Sequence, residues 1–146
     1  MAAVVRLHDL PSIRSARAVQ GACLCGDVRY EVSGPLGPMS HCHCSMCRKH
    51  HGTPFATCVS VPLANFRWLA GHQSVVLYRS SAFGLRSFCG TCGSVTPILD
   101  TELGLALCPA GNLAGEVEAP SQAHVFVGSK ADWHTITDTL PQHREF

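Results

Sequence analysis

A chain of 146 residues is the size of one domain and can bury roughly two-thirds of its unfolded surface in a core of its own. Hydrophobic residues make up 46% and charged residues 14%, with a net charge of +1, which excludes compositional disorder and leaves no basic stripe for nucleic acid or an anionic membrane. No apolar run approaches the ~18 to 20 residues of a membrane-spanning helix, and the opening MAAVVRLHDLPSIRSARAV has no continuous apolar centre for a secretory signal.

In chain order, residues 1–19 show no firm periodicity and are expected to form a flexible extension before a domain over 20–146. Arg6, Arg14 and Arg17 hint at an organellar transit peptide, a reading that Asp9 and Pro11 weaken. Short segments alternating apolar and polar residues follow, punctuated by Gly and Pro. Val28, Tyr30 and Val32 mark one face of a first strand that stops at the turn-forming residues 34–38. Phe55 to Val61 alternates in a second strand ending at Pro62. Phe66–Leu69 and Ser74–Tyr78 predict a hairpin about Ala70, Gly71 and His72. Four more short strands are expected at Arg86–Cys89, Val95–Leu99, Leu103–Leu107 and His124–Val127, and a single helical turn at Ser45–His51. Without a sustained 3.6-residue period the fold class is mainly β, a small single-domain antiparallel β fold.

Nine cysteines cannot all pair as internal disulfides, and without a secretory signal the expected compartment is the reducing cytoplasm, where clustered thiols hold metal. Seven of them form knots: Cys23-Leu-Cys25, Cys42-His-Cys44-Ser-Met-Cys47 and Cys89-Gly-Thr-Cys92. Such spacings let a tight turn aim two thiolates at one zinc, and Gly26, Gly90 and Gly93 supply the freedom to turn. The seven divide into four and three. Cys23, Cys25, Cys89 and Cys92 can close a structural tetrahedral site, while Cys42, Cys44 and Cys47 leave a fourth position for water or substrate, as catalytic zinc sites do. Spacing leaves the second site undecided, because His41, His43, His50 or His51 could complete it as a closed Cys3His site. Cys58 and Cys108 sit in apolar strand patterns and are expected in the core. Trp68, Trp133 and Phe126 are expected as core or rim residues.

The segments GACLCGDVRYEVSGPLG, SHCHCSMCRKHHGTPFATCVSVP and SSAFGLRSFCGTCGS, together with the later VFVGSKADW and ITDTLPQ, resemble the glutathione-dependent formaldehyde-activating enzyme family, which shares its domain with centromere protein V. That resemblance implies a tent-like β fold with two Zn2+ ions per chain. It assigns Cys23, Cys25, Cys89 and Cys92 to the structural ion and Cys42, Cys44 and Cys47 to the catalytic one. It also implies carbon-sulfur lyase-type chemistry on glutathione, or a related thiol, and its adduct with a small electrophile such as formaldehyde. His50 and Cys58 stand where other residue types are more usual in the family, near the triplet, and bear on substrate preference.

For that chemistry Arg48, Lys49 and Arg86 are candidates to meet the carboxylates of a tripeptide thiol. His51 is the candidate proton shuttle among the nearby histidines, because the family motif also places a histidine there. The alternative reading is a non-catalytic scaffold with both zinc sites structural, as the centromere-protein relatives suggest. Such a module would need a basic surface or added tails for its partners.

Overall fold

The computed structural model describes residues 18–146. The expected N-terminal extension, with its three arginines, lies outside the described residues up to position 17. The chain is mainly β, with strands β1 (Val19–Ala22), β2 (Arg29–Val32), β3 (Met39–Cys42), β4 (Ala56–Pro62), β5 (Phe66–Ala70), β6 (Val75–Arg79), β7 (Leu85–Cys89), β8 (Ile98–Asp100), β9 (Leu105–Pro109) and β10 (Gln122–Val125). The one α-helix, α1 (Ser45–His51), coincides with the expected helical turn. Among the described residues no helix is long and apolar enough to cross a membrane.

The strands form three sheets ordered β1-β2-β5, β10-β3-β4-β9-β8 and β6-β7. The core lies between the first two, where strand alternation buries one side chain in two. Tyr30 and Val32 of β2, Val59 and Val61 of β4, and Ala106 and Cys108 of β9 are all sealed from solvent. Phe66 stacks on the Tyr30 ring with centroids 5.5 Å apart, and Trp68 meets that ring edge-on at 6.1 Å. Gly21, the register partner of Tyr30, makes room for it, since a Cβ there would overlap the ring.

Sequence alternation placed β2 and β4 correctly, but not every partner. The expected hairpin of Phe66–Leu69 with Ser74–Tyr78 does not form: β5 pairs with β2, and β6 pairs with β7. The aromatic face of β5 is drawn to Tyr30, and Gly71, at φ 71°, passes so close to the Asp27 carbonyl that the chain leaves the sheet through the short 3-10 turn His72–Ser74. The sheets are also not wholly antiparallel, because β10 runs parallel to β3. Neither β1 nor β3 is signalled by strong alternation. At the C-terminal side, Val95 makes only a bridge to Phe88 and its strand proper begins at Ile98. Asp100 Oδ1 accepts from the N–H groups of Glu102 and Leu103, delaying the next strand to Leu105. Phe126, at φ 56°, ends β10 one residue after Val125.

Candidate metal centres

Two knuckles bring the outer four cysteines together. Beyond β1 the chain turns at Cys23–Gly26, where the Gly26 N–H donates to the Cys23 carbonyl (3.1 Å) and Gly26 takes φ 78°. Beyond β7 it turns at Cys89–Gly93, where the Gly93 N–H donates to the Cys89 carbonyl (2.8 Å) at φ 76°. Both turns end in the left-handed region that glycine enters without a Cβ penalty. Cys23 and Cys89 are buried with Val28, while Cys25 is exposed.

The four ligand atoms lie within 4.8 Å of one another. Cys23 Sγ is 3.5 Å from Cys25 Sγ, and Cys25 Sγ is 3.9 Å from Cys89 Sγ. A tetrahedron of sulfurs at the usual ~2.3 Å from zinc has edges of about 3.8 Å, so the donor set fits that ion. The Val28 N–H donates to Cys23 Sγ at 3.3 Å, and Cys92 pairs with Ser94 Oγ at 3.2 Å. The bond to Ser94 is the main reason the Cys92 thiol falls to about 5.

The inner three cysteines arise at the junction of β3 and α1. Cys42 is the last residue of β3. Cys44, extended at φ −62° and ψ 150°, caps the helix by accepting the Cys47 N–H on its sulfur at 3.3 Å. Cys47 follows in the first turn, so capping by a thiol is itself what gathers the ligands. Their three Sγ atoms also lie within 4.8 Å of one another, and among the described residues no further His, Cys, Asp or Glu joins the group. Arg86 Nη1 donates to Cys47 Sγ at 3.5 Å, with its Nε fixed on Ser80 Oγ at 3.1 Å. Hydrogen bonding from Cys42, helped by Cys44 and Arg86 against the opposing effect of burial, lowers the Cys47 thiol to about 5. The same pairing, with burial, drives Cys42 upward.

The candidate histidines go elsewhere. His41 holds Thr57 through Nδ1 (2.8 Å) and Gln122 through Nε2 (3.2 Å), leaving neither nitrogen free. His43 Nε2 bonds His124 Nδ1 at 2.8 Å. His50 and His51 stand at the end of α1 with ring centroids 5.3 Å apart, and burial pushes His51 down to about 4. His50 Nε2 is buried without a partner, yet outside the cysteine group. Arg48 donates Nε–H to the His43 carbonyl at 3.2 Å. With Lys49, Gly52, Thr53 and the exposed Trp133 it lines a shallow cleft of about 170 Å³. Cys108 is fully buried and Cys58 half-buried.

Sequence reasoning did not single out His124 and Asp138, which the fold brings into a hydrogen-bonded chain with His43. His124 Nε2 lies 3.0 Å from Asp138 Oδ2, and its other nitrogen faces His43. The available signal was the C-H-C string itself, in which alternation turns His41 and His43 away from the face carrying Cys42.

Residues 18–129 match the model of the family described as "Glutathione-dependent formaldehyde-activating enzyme". A protein of Halomonas elongata named "Putative glutathione-dependent formaldehyde-activating enzyme" is 28% identical over 126 residues, covering 81% of this chain and 80% of that protein. A crystal structure of a Rhodobacter sphaeroides protein superposes with a TM-score of 0.54 at 28% identity, covering 67% of this chain and 90% of that one. The family match spans both cysteine groups and most of the sheet framework that holds them; the chain belongs to the glutathione-dependent formaldehyde-activating enzyme family.

Proposed function

We propose that this chain is a zinc-dependent carbon-sulfur lyase-type enzyme of the cytoplasm that acts on glutathione, or a related small thiol, and on its adduct with formaldehyde. One observation carries the reading: a group of three cysteines with no fourth protein ligand among the described residues, beside a guanidinium, on a chain of this family. In this reading Cys23, Cys25, Cys89 and Cys92 hold a structural Zn2+ and Cys42, Cys44 and Cys47 hold a second one. Held by three cysteines, that second ion would leave a fourth position for an external thiol and would supply the means of keeping it deprotonated near neutral pH.

The overall change is balanced without an oxidant. A sulfur-carbon bond forms, the carbonyl π bond of formaldehyde opens, and the thiol proton ends on the new hydroxyl. The reverse direction returns it. The protein's own part is charge and position. Three thiolates give the site a net negative charge, and Arg86, 3.5 Å from Cys47 Sγ, offsets it. Arg48 and Lys49 make the neighbouring cleft cationic, suited to the carboxylates of a tripeptide thiol, and the exposed Trp133 forms one wall. His51, at the end of α1, is the candidate proton relay, and with burial depressing its pKa to about 4 it would be a weak base that gives the proton up again quickly.

The test is metal analysis followed by calorimetry. The freshly purified chain should contain two zinc ions, and glutathione should bind with proton release below the free thiol pKa. Cys44→Ser should lose the inner ion and the binding while its β core still melts cooperatively. Two zincs with four protein ligands each, and no heat on adding glutathione, would replace this reading with a non-catalytic scaffold.

A further inference from the structure

The residue between Cys42 and Cys44 is held more completely than the cysteines themselves. His43 is fully buried, its N–H donates to the Val125 carbonyl at 3.0 Å, and its carbonyl accepts from Arg48 Nε at 3.2 Å. Its ring packs against Phe55 with centroids 5.0 Å apart. From the ring a hydrogen-bonded chain runs outward, 2.8 Å to His124 and 3.0 Å on to Asp138, whose side chain is 48% exposed.

We propose that Asp138 and His124 are positioning residues for the inner cysteine group: they fix the tautomer and orientation of His43, and through it the path of the Cys42–Cys47 segment. The consequence for metal retention rests on reading that group as a zinc site. The tautomer assignment does not.

Donor and acceptor counting gives the direction. Asp138 Oδ2 accepts from His124 Nε2–H, which leaves His124 Nδ1 bare in the neutral ring. That lone pair accepts from His43 Nε2–H, leaving His43 Nδ1 bare as well. His43 Nδ1 is indeed buried with no partner. With both rings neutral, reversing one would set two N–H groups or two lone pairs against each other at the buried His43–His124 contact. The other carboxylate oxygen is also taken, since Asp138 Oδ1 accepts from the Leu140 N–H at 2.9 Å. Both oxygens must therefore be acceptors, which an amide cannot supply. In Asp138→Asn, keeping the Leu140 bond turns the NH2 toward His124 and inverts both rings.

The partners lie far apart in sequence. His43 and His124 are 81 residues apart, and His124 and Asp138 are 14 apart. The chain thus ties the C-terminal segment, which runs beside β10 through bonds such as His143 N–H to the His124 carbonyl (2.9 Å), to the segment that gathers the inner cysteines.

Imidazole nitrogen NMR on isotope-labelled, zinc-loaded protein at neutral pH tests this directly. The parent should show His43 and His124 both as the Nε2–H tautomer. In Asp138→Asn both should become Nδ1–H, and one of the two zincs should be lost to a chelator about 10- to 100-fold more readily, the range for removing a partner behind the metal ligands. The outer zinc and the melting transition serve as internal controls for the fold. An Nδ1–H ring in the parent, unchanged tautomers in the variant, or inverted tautomers with both zincs held as tightly as in the parent would each overturn the proposal, whereas a parent chain that never holds a second zinc would overturn the proposed function and the metal consequence but leave the tautomer assignment standing. Normal tautomers and two zincs without glutathione binding would sink the enzymatic reading alone.

Discussion

Two cysteines of this chain, Cys89 and Cys108, are both fully buried, yet only Cys89 lies in a group that could hold a metal, and serine substitution tests whether that difference matters. Cys89 ends β7 with its sulfur 3.9 Å from that of Cys25. Cys108 sits in β9 among Tyr30, Val59 and Val61 and, among the described residues, belongs to no group that could hold a metal. Cys108→Ser buries a hydroxyl in an apolar core, a loss of about 1 to 3 kcal/mol. At about 3 °C per kcal/mol for a chain of this size, its melting temperature should fall by roughly 3 to 10 °C with zinc content unchanged. Cys89→Ser removes one of the four thiols of the outer group, and a structural zinc held there would contribute on the scale of the ~10 to 16 kcal/mol known for small zinc-folded peptides. Losing even a third of that, about 3 to 5 kcal/mol, would remove much or all of the stability of a domain held by only ~5 to 15 kcal/mol, so this variant should melt well below Cys108→Ser. Calorimetric melts with metal analysis on the same samples decide the matter. If Cys89→Ser melts cooperatively at the parent temperature, or costs no more than Cys108→Ser, the outer cysteines do not hold a structural metal.

Gly71→Ala should destabilise by about 2 kcal/mol or more, since it combines a left-handed backbone with a Cβ driven into the Asp27 carbonyl. Gly111→Ala, where a Cβ meets nothing within 4 Å, should stay within about 0.5 kcal/mol of the parent, and equal melting temperatures for the two would contradict the turn described here. The His51 imidazole, depressed by burial to about 4, takes up its proton later than the unfolded chain does near pH ~6.5, so its contribution to stability is intact above that value and lost as pH falls toward 4. In urea melts with excess zinc, His51→Gln should therefore lose about 1 kcal/mol less than the parent between about pH 7 and pH 5, the shift being discounted for partial exposure; parallel losses would show that His51 is not held neutral by the fold.

Much of the framework was legible because it is local. Alternation in Val28–Val32 and Phe55–Val61, and the helical turn at Ser45–His51, are each written in consecutive residues. The two cysteine groups were legible because a thiolate pair at C-x-C or C-x-x-C spacing has few other uses in a reducing compartment. Strand partners were not. β5 and β6 are adjacent in sequence and bounded by a turn, so they read as a hairpin, but the Phe66 and Trp68 rings find Tyr30 rather than the exposed face of β6. β3 escaped notice because its Met-Ser-His-Cys sequence lacks alternation, its hydrogen bonds being supplied by β4 on one side and β10 on the other. The Asp138–His124–His43 chain was invisible for the same reason, since it depends on β10 running parallel beside β3.

The two cysteine groups differ in how much chain they join, and that difference explains why one can serve the fold and the other chemistry. Cys25 and Cys89 are 64 residues apart, and a cross-link closing a loop that long removes unfolded-state entropy equivalent to about 4 kcal/mol, whereas the six residues from Cys42 to Cys47 close a loop whose equivalent is only about 2 kcal/mol. A metal at the outer group would staple β1 to β7 across two sheets. A metal at the inner group would organise a strand end and a helix start that the Cys44 cap and the bonds of His43 already hold in place. The inner group is thus the one whose ligands can exchange or leave without unravelling the sheets. That freedom is what a site binding and releasing a thiol would require, and it belongs to the group whose Cys47 sulfur accepts from Arg86 and whose chain at His43 is held by Arg48.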